Sequence, residues 1–185
     1  TTLTKSGARV GDMLLLTKPL GTGVILAGAM RGTHVPGAIA GAVNCMDTSN
    51  ALSVEILRNY AVNALTDVTG FGLLGHLSEI LRGSDCGVSL HLNEIPLLPG
   101  ALLMARQGIA SSLQASNALV LADFTLATDL DAEILALLSD PQTSGGLLAS
   151  VPAHQADSCL TALRGQQIEA AMIGEIVPSS TRRIS

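Results

Sequence analysis

A short apolar segment that leads into a glycine-rich turn and then a one-sided helix lies near the middle of the chain. Residues 64–68 (ALTDV) are typical of a buried strand, and residues 69–72 (TGFG) form the turn. An apolar stripe at helical spacing then predicts a helix to about Arg82, with Gly83 suited to its C-terminal end. The stripe consists of Leu73, Leu74, Leu77, Ile80 and Leu81. A strand followed at once by such a helix indicates a fold of packed sheet and helices.

The remaining segments mix strands and helices without strict βαβ alternation, which favours an α+β sandwich over a doubly wound sheet. Further strands are expected at residues 12–16, 88–92, 147–151 and 170–177, and further helices at residues 24–30, 51–62, 101–106, 131–138 and 153–163. Residues 34–44 are expected to form mainly loop, residues 108–130 show no clear pattern, and residues 178–185 are expected to form a polar tail.

Charge is scarce in this chain. Charged residues make up 14% and hydrophobic residues 48% of its 185 residues, whereas globular domains average about a quarter charged. Either the chain is mostly core, or part of its apolar surface meets another domain or subunit. The net charge of −5 argues against nucleic-acid binding and against an anionic membrane surface. There is no signal-peptide pattern and no apolar run long enough to span a membrane, and three widely spaced cysteines suit free thiols in a reducing cytoplasm.

The turn after residues 64–68 is the first candidate for chemistry. Backbone N–H groups at a helix N-terminus favour an anion, and Asp67 could hold Mg²⁺, which in turn could hold a phosphate. Equally, Asp67 could merely cap the turn. Residues 70–75 (GFGLLG) also match the spacing of a dinucleotide-binding loop, with Glu94 as the acidic residue that such a site needs.

Two other strings combine glycines with polar side chains. Residues 140–148 (DPQTSGGLL) could form an anion nest or a simple turn with capping hydroxyls. In residues 17–23 (TKPLGTG), Lys18 could contact a phosphate or could be a solvated lysine beside a helix start. The four histidines do not cluster, and His76 with Glu79 is expected to form a pair on the helix surface.

These three strings, residues 17–23, 66–77 (TDVTGFGLLGHL) and 140–148, resemble those of selenide, water dikinases in order and spacing. Residues 95–100 (IPLLPG) and 173–176 (IGEI) fit the same family. The resemblance implies a three-layer α/β/α sandwich of α+β type with a mixed sheet flanked by helices, like the C-terminal domain of aminoimidazole ribonucleotide synthetase. It also implies an enzyme that makes selenophosphate, AMP and phosphate from ATP, selenide and water, with Mg²⁺ as cofactor, as a homodimer.

The same resemblance implies that residues 1–185 are a single C-terminal domain and that the N-terminal ATP-binding domain is absent from this chain. Asp67 matches the family's Mg²⁺-binding aspartate in this domain. The candidates to face phosphate or substrate at the interdomain cleft are Thr69, Gly70, Lys18, Thr143, Ser144 and Gly145. Since one aspartate is a poor Mg²⁺ site, the chain alone is expected to be inactive. A non-catalytic dimerisation or regulatory module of the same fold remains an alternative.

Two positions depart from the family pattern. Met46-Asp47 stands where the family usually has Met-Asn, and residues 110–113 (ASSL) stand where it often has Pro-Gly-Gly-Thr. Asn117 matches the asparagine that follows that turn. The change puts the conformation of residues 110–117, and any ligand contact that they make, in question.

Overall fold

The computed structural model describes residues 3–185, and within them one seven-stranded mixed sheet organises the fold. The strand order is β2-β5-β1-β6-β3-β7-β4. All neighbouring pairs from β2 to β3 are antiparallel, whereas β7 runs parallel to both β3 and β4. The strands are β1 (Asp12–Leu16), β2 (Ala64–Asp67), β3 (Cys86–Leu90), β4 (Thr125–Leu126), β5 (Leu147–Pro152), β6 (Ala171–Pro178) and β7 (Arg182–Ile184).

Helices lie on both faces of this sheet and complete three layers. Strand β1 shows the division: Leu14 and Leu16 join the core cluster that contains the apolar stripe of α4, whereas Leu15 joins the cluster that contains α3 and α8. The helices are α1 (Thr22–Met30), α2 (Ala38–Asp47), α3 (Ala51–Leu57), α4 (Gly72–Ser84), α5 (Ala101–Arg106), α6 (Gln114–Asn117), α7 (Ala132–Leu137) and α8 (Ala153–Gly165), with 3-10 turns at Leu92–Glu94 and Ala118–Asp123. The predicted α+β three-layer sandwich with a mixed sheet is confirmed.

A third core cluster joins α1, α2 and α5 beside the sheet. Its buried side chains include the small residues Ala27, Ala38, Ala42 and Ala101, which let the helices approach closely. Gly28 permits the contact between α1 and α5, because a Cβ there would lie 2.7 Å from the sulfur of Met104. This cluster fixes α1, whose N-terminus faces the turn before β5.

Several elements differ from the sequence predictions. Residues 38–47 form a helix where loop was expected, because Ala38 and Ala42 pack into the third cluster. Helix α3 ends at Leu57 instead of residue 62. Helix α4 ends one residue past Gly83, and Asp85 takes the left-handed conformation. The expected polar tail contains β7, which pairs with β3.

The topology rules out the dinucleotide-binding interpretation. That fingerprint requires two neighbouring parallel strands joined by a helix. Strands β2 and β3 flank α4 in sequence, but β5, β1 and β6 separate them in the sheet. Glu94 lies in a 3-10 turn after β3 rather than at the end of a neighbouring parallel strand.

Within residues 3–185, none of the helices has the length and apolar character that crossing a membrane requires.

Candidate functional site

The three strings singled out in the sequence meet at one edge of the sheet. Strands β1 and β2 both run antiparallel to β5, so their C-terminal ends and the N-terminal end of β5 lie at the same edge. The N–H of Thr17 donates to the carbonyl of Leu147 at 3.0 Å, and the N–H of Val68 donates to the carbonyl of Gly146 at 2.8 Å. Residues 66–77 and 17–23 are thus both fastened to residues 140–148.

Two glycines in the last string allow this close approach. A Cβ on Gly145 would collide with the carbonyl oxygen of Val68. A Cβ on Gly146 would lie 2.6 Å from the backbone nitrogen of Lys18. Since real Cβ atoms do not tolerate such contacts with backbone, both positions require glycine for packing.

Asp67 is the exposed carboxylate at this edge. It is the last residue of β2, and within residues 3–185 its carboxylate takes part in no hydrogen bond or ion pair. The negative charge of Asp67 also acts on Lys5. The pKa of Lys5 is raised first by its hydrogen bond to Glu79 and then by the charges of Glu79 and Asp67. Asp67 is therefore free to bind a ligand and does not cap the turn through a hydrogen bond of its side chain.

The exposed carboxylate of Asp67 is the candidate ligand for a Mg²⁺ ion at this edge. The described residues 3–185 contain no cluster of three or more His, Cys, Asp or Glu side chains that could hold a metal ion. Mg²⁺ prefers six oxygen ligands and retains several waters, so a single carboxylate fits as one contributor to a shared site. The chemistry of Asp67 suits that role.

Thr69 and Gly70 form the turn that follows Asp67. The Thr69 hydroxyl lies 3.1 Å from Nε2 of His76. The Thr69 backbone carbonyl accepts a hydrogen bond of 3.0 Å from the N–H of Gln142. The Gly70 carbonyl accepts a hydrogen bond of 2.9 Å from the side chain of Asn117, which also donates to the Ser139 carbonyl at 3.1 Å. Asn117 thus connects residues 110–117, the segment that departs from the family's sequence pattern, to the candidate site.

Lys18 is buried beneath the site, with only 6% of its surface exposed. Its ammonium donates three hydrogen bonds to backbone carbonyls: to Cys45 at 2.9 Å, to Thr48 at 2.6 Å and to Ser144 at 2.8 Å. An ammonium has three donors, so all of them are engaged within the fold. Burial lowers the pKa of Lys18. The phosphate contact predicted for Lys18 would require it to release one of these carbonyls.

Thr143 and Ser144 are exposed, whereas Gly145 is buried. The Thr143 N–H donates to the Thr22 hydroxyl at 2.9 Å, so that N–H is already engaged. Ser144 has a positive φ of 48°. Of this string, Thr143 and Ser144 are the exposed residues that a ligand could reach.

Asp140 and Gln142 have a function that the sequence patterns did not reveal: they occupy the N-terminus of α1. The Asp140 Oδ2 accepts the N–H of Val24 at 3.1 Å, and the Gln142 Oε1 accepts the N–H groups of Gly21 at 3.0 Å and Thr22 at 3.2 Å. These bonds satisfy backbone donors that a helix start leaves open. Burial raises the pKa of Asp140 to about 6, and the hydrogen bonds from Val24, Gln142 and Gly23 oppose that rise.

His76 differs from the helix-surface histidine that was expected. It does lie near Glu79, with 3.3 Å between Nδ1 and Oε2, but only 4% of the residue is exposed. Its other ring nitrogen reaches Thr69. The contact between Thr69 and His76 could not be predicted from the sequence, because the two residues are seven positions apart across a turn and no periodicity rule detects such a pair.

Comparison with known proteins gives the family. Residues 9–184 match the family described as AIR synthase related protein, C-terminal domain. The chain belongs to this family. The resemblance to selenide, water dikinases is likewise confirmed: the chain is 41% identical over 177 residues to that of Myxococcus xanthus and 37% identical over 188 residues to that of Pelobacter propionicus. These matches cover 94% and 98% of the chain but only 50% and 53% of the relatives, so the chain spans about half their length.

Solved structures share the family's fold at low sequence identity. A thiamine-monophosphate kinase from Stenotrophomonas maltophilia matches with a TM-score of 0.69 at 16% identity, covering 99% of this chain and 52% of that one. HypE of E. coli matches with a TM-score of 0.71 at 21% identity, covering 98% and 48%. A HypE solved in complex with ATP matches with a TM-score of 0.65 at 20% identity, covering 95% and 45%. These likenesses show the common fold.

Proposed function

We propose that this chain is the C-terminal domain of an ATP-dependent selenide, water dikinase, which converts ATP, selenide and water into selenophosphate, AMP and phosphate. The relatives that carry this name match nearly the whole chain at 41% and 37% identity. The ATP complex of a HypE with the same fold supports ATP as a substrate. This domain would work together with the N-terminal domain of the same full-length enzyme, and the enzyme would be a cytoplasmic homodimer.

The observation that carries the proposal is the unpaired carboxylate of Asp67 where the three strings meet. Phosphoryl transfer depends mainly on positioning and on neutralising phosphate charge. Bound Mg²⁺ would supply that neutralisation. Asp67 would contribute one oxygen ligand from the edge that β1, β2 and β5 form, and the N-terminal half would contribute further carboxylates.

The turn residues around Asp67 have separate roles in this proposal. Thr69, Gly70, Thr143 and Ser144 would face the substrate at the interdomain cleft, while Gly145 and Lys18 would hold the loops together from below. The hydrogen bond from Lys18 to the Ser144 carbonyl supports that division. Because these groups do not complete a metal site, the 185-residue chain by itself is expected to show no dikinase activity and no tight ATP binding.

The test compares full-length enzyme with the Asp67→Asn variant in selenide-dependent conversion of ATP to AMP and phosphate across a Mg²⁺ titration. We expect the variant to need at least about tenfold more Mg²⁺, or to lose activity, because the amide is a weaker ligand than a carboxylate. Asp157→Asn, an exposed position on α8, is the matched control and should behave as wild type. The 185-residue chain, assayed alongside, should be inactive.

Each other outcome has a defined meaning. Normal Mg²⁺ dependence in Asp67→Asn would remove the metal role and leave the activity in place. Turnover by the isolated chain would contradict the proposal that this domain and the N-terminal half share the metal site. Absence of selenide-dependent turnover in the full-length wild type would favour the non-catalytic dimerisation or regulatory module.

A further inference from the structure

A chain of hydrogen-bonded side chains connects the turn after Asp67 to the surface of α4. The Thr69 hydroxyl lies 3.1 Å from Nε2 of His76, and Nδ1 of His76 lies 3.3 Å from Oε2 of Glu79. The same Glu79 oxygen accepts a hydrogen bond of 2.8 Å from Lys5. The three groups thus have the order hydroxyl, imidazole, carboxylate.

This series of hydrogen bonds determines which atom carries each proton. The hydrogen bond from Lys5 lowers the pKa of Glu79, which favours its ionised form, and an ionised carboxylate can only accept. Nδ1 of His76 must therefore donate to Glu79. In the neutral imidazole Nε2 is then an acceptor, so the Thr69 hydroxyl donates its proton to His76.

Packing holds the imidazole in this orientation. The ring of Phe71 lies against it, with 5.7 Å between ring centroids and an interplanar angle of 49°. Gly75 makes room for that arrangement, because a Cβ there would lie 2.5 Å from the Cβ of Phe71. His76 is 4% exposed, so water does not compete for its nitrogens. Phe71 and Gly75 therefore support the orientation in which His76 meets Thr69.

We propose, on the basis of the function proposed above, that His76 is a positioning residue for the Thr69 hydroxyl. With its proton committed to His76, Oγ1 offers only lone pairs to the candidate site. It can accept from a donor or approach a cation, but it cannot donate to a phosphate oxygen. Thr69 would therefore serve a hydrated divalent cation held by Asp67, directly or through one of its waters, and would not bind the phosphate.

The first test reads the tautomer directly. The 185-residue chain is labelled with ¹⁵N in its histidine rings, and long-range ¹H–¹⁵N spectra are recorded at alkaline pH. With the signals assigned through a His76→Gln variant, His76 should carry its proton on Nδ1. Glu79→Leu should release this preference, whereas Glu94→Leu, in the 3-10 turn after β3, should not. A proton on Nε2 in the wild-type chain would overturn the inference, because Thr69 would then be the acceptor.

The second test is a double-mutant cycle in the full-length enzyme, read as the Mg²⁺ concentration that gives half-maximal activity. Thr69→Val should raise that concentration roughly tenfold, as expected for a residue that orients a metal site from outside, and Thr69→Ser should restore it. His76→Gln should raise it by a similar factor, and the double variant should be no worse than Thr69→Val. His91→Gln, exposed after β3, is the matched control.

The outcomes separate this inference from the function on which it rests. If wild type turns over and the variants keep its Mg²⁺ dependence, or if their effects multiply, the positioning role is wrong and the dikinase proposal stands. If wild type shows no selenide-dependent turnover, the dikinase proposal fails, and the tautomer alone decides whether His76 orients Thr69. Thermal unfolding of Thr69→Ser and Thr69→Val will show whether either change acts through stability.

Discussion

Asp140 is the buried carboxyl whose ionisation should most affect stability. Its pKa is raised from 3.8 to about 6, so the folded chain holds this proton more tightly than the unfolded chain does. The resulting stability is complete below pH 3.8 and is lost as the pH rises through about 6. The full difference corresponds to about 3 kcal/mol.

We therefore expect Asp140→Asn to flatten the pH dependence of stability. The free energy of unfolding, measured with urea in dilute protein, should decline for wild type relative to the variant between about pH 4 and pH 7. Asp157→Asn, exposed on α8, serves as control and should follow wild type. A constant difference between wild type and Asp140→Asn over this range would contradict the raised pKa.

At the level of residues, motif patterns predicted a candidate site but not the contacts that the structure shows around it. Asp67 could be singled out because acid, glycine and helix start are adjacent in sequence. The cap that Asp140 and Gln142 form on α1 joins residues about 120 positions apart, as the separations of 116 and 121 show. Likewise, only the fold shows that Lys18 is surrounded by carbonyls.

At the scale of elements, the junction between β2 and β5 depends on Gly145. Its missing side chain lets the Val68 carbonyl approach, so Gly145→Ala should push the turn after Asp67 away from β5. We expect the free energy of unfolding to fall by more than about 2 kcal/mol. Chemical denaturation of the isolated chain measures this directly.

Gly41→Ala is the matched control for that experiment. Gly41 lies within α2, and a Cβ there would meet nothing within 4 Å. Because alanine favours helix over glycine, this variant should gain about 0.5–1 kcal/mol. Equal effects of the two substitutions would show that the space around Gly145 is not restrictive.

The elements that the sequence predicted well are those whose burial pattern is local. Helix α4 and strand β1 bury a stripe or a run that can be recognised within a few residues. Strand β7 could not be recognised, because it is polar and exists through its parallel pairing with β3. Helix α2 was missed because it packs through the small residues Ala38 and Ala42 rather than through a strong apolar stripe.

For the whole molecule, the apolar surface suggested by the low charge content borders the candidate site. Met30 is 83% exposed and Leu113 is 52% exposed, and both line a surface groove that also contains Gly70 and Thr143. Phe71, beside Gly70, is 61% exposed. Since the chain spans about half the length of its dikinase relatives, this is the surface that we expect the other half to cover.

This arrangement predicts that the isolated chain self-associates through the groove. Its weight-average sedimentation coefficient should rise with concentration, and a Met30→Lys, Leu113→Lys double variant should remain monomeric because lysine keeps the groove hydrated. Val10→Lys changes an equally apolar side chain, 61% exposed, in the turn that precedes β1 and so at the opposite edge of the sheet. It should associate like wild type. If Val10→Lys were as effective as the double variant, association would reflect general surface hydrophobicity; if wild type stayed monomeric at high concentration, the groove would need no cover at all.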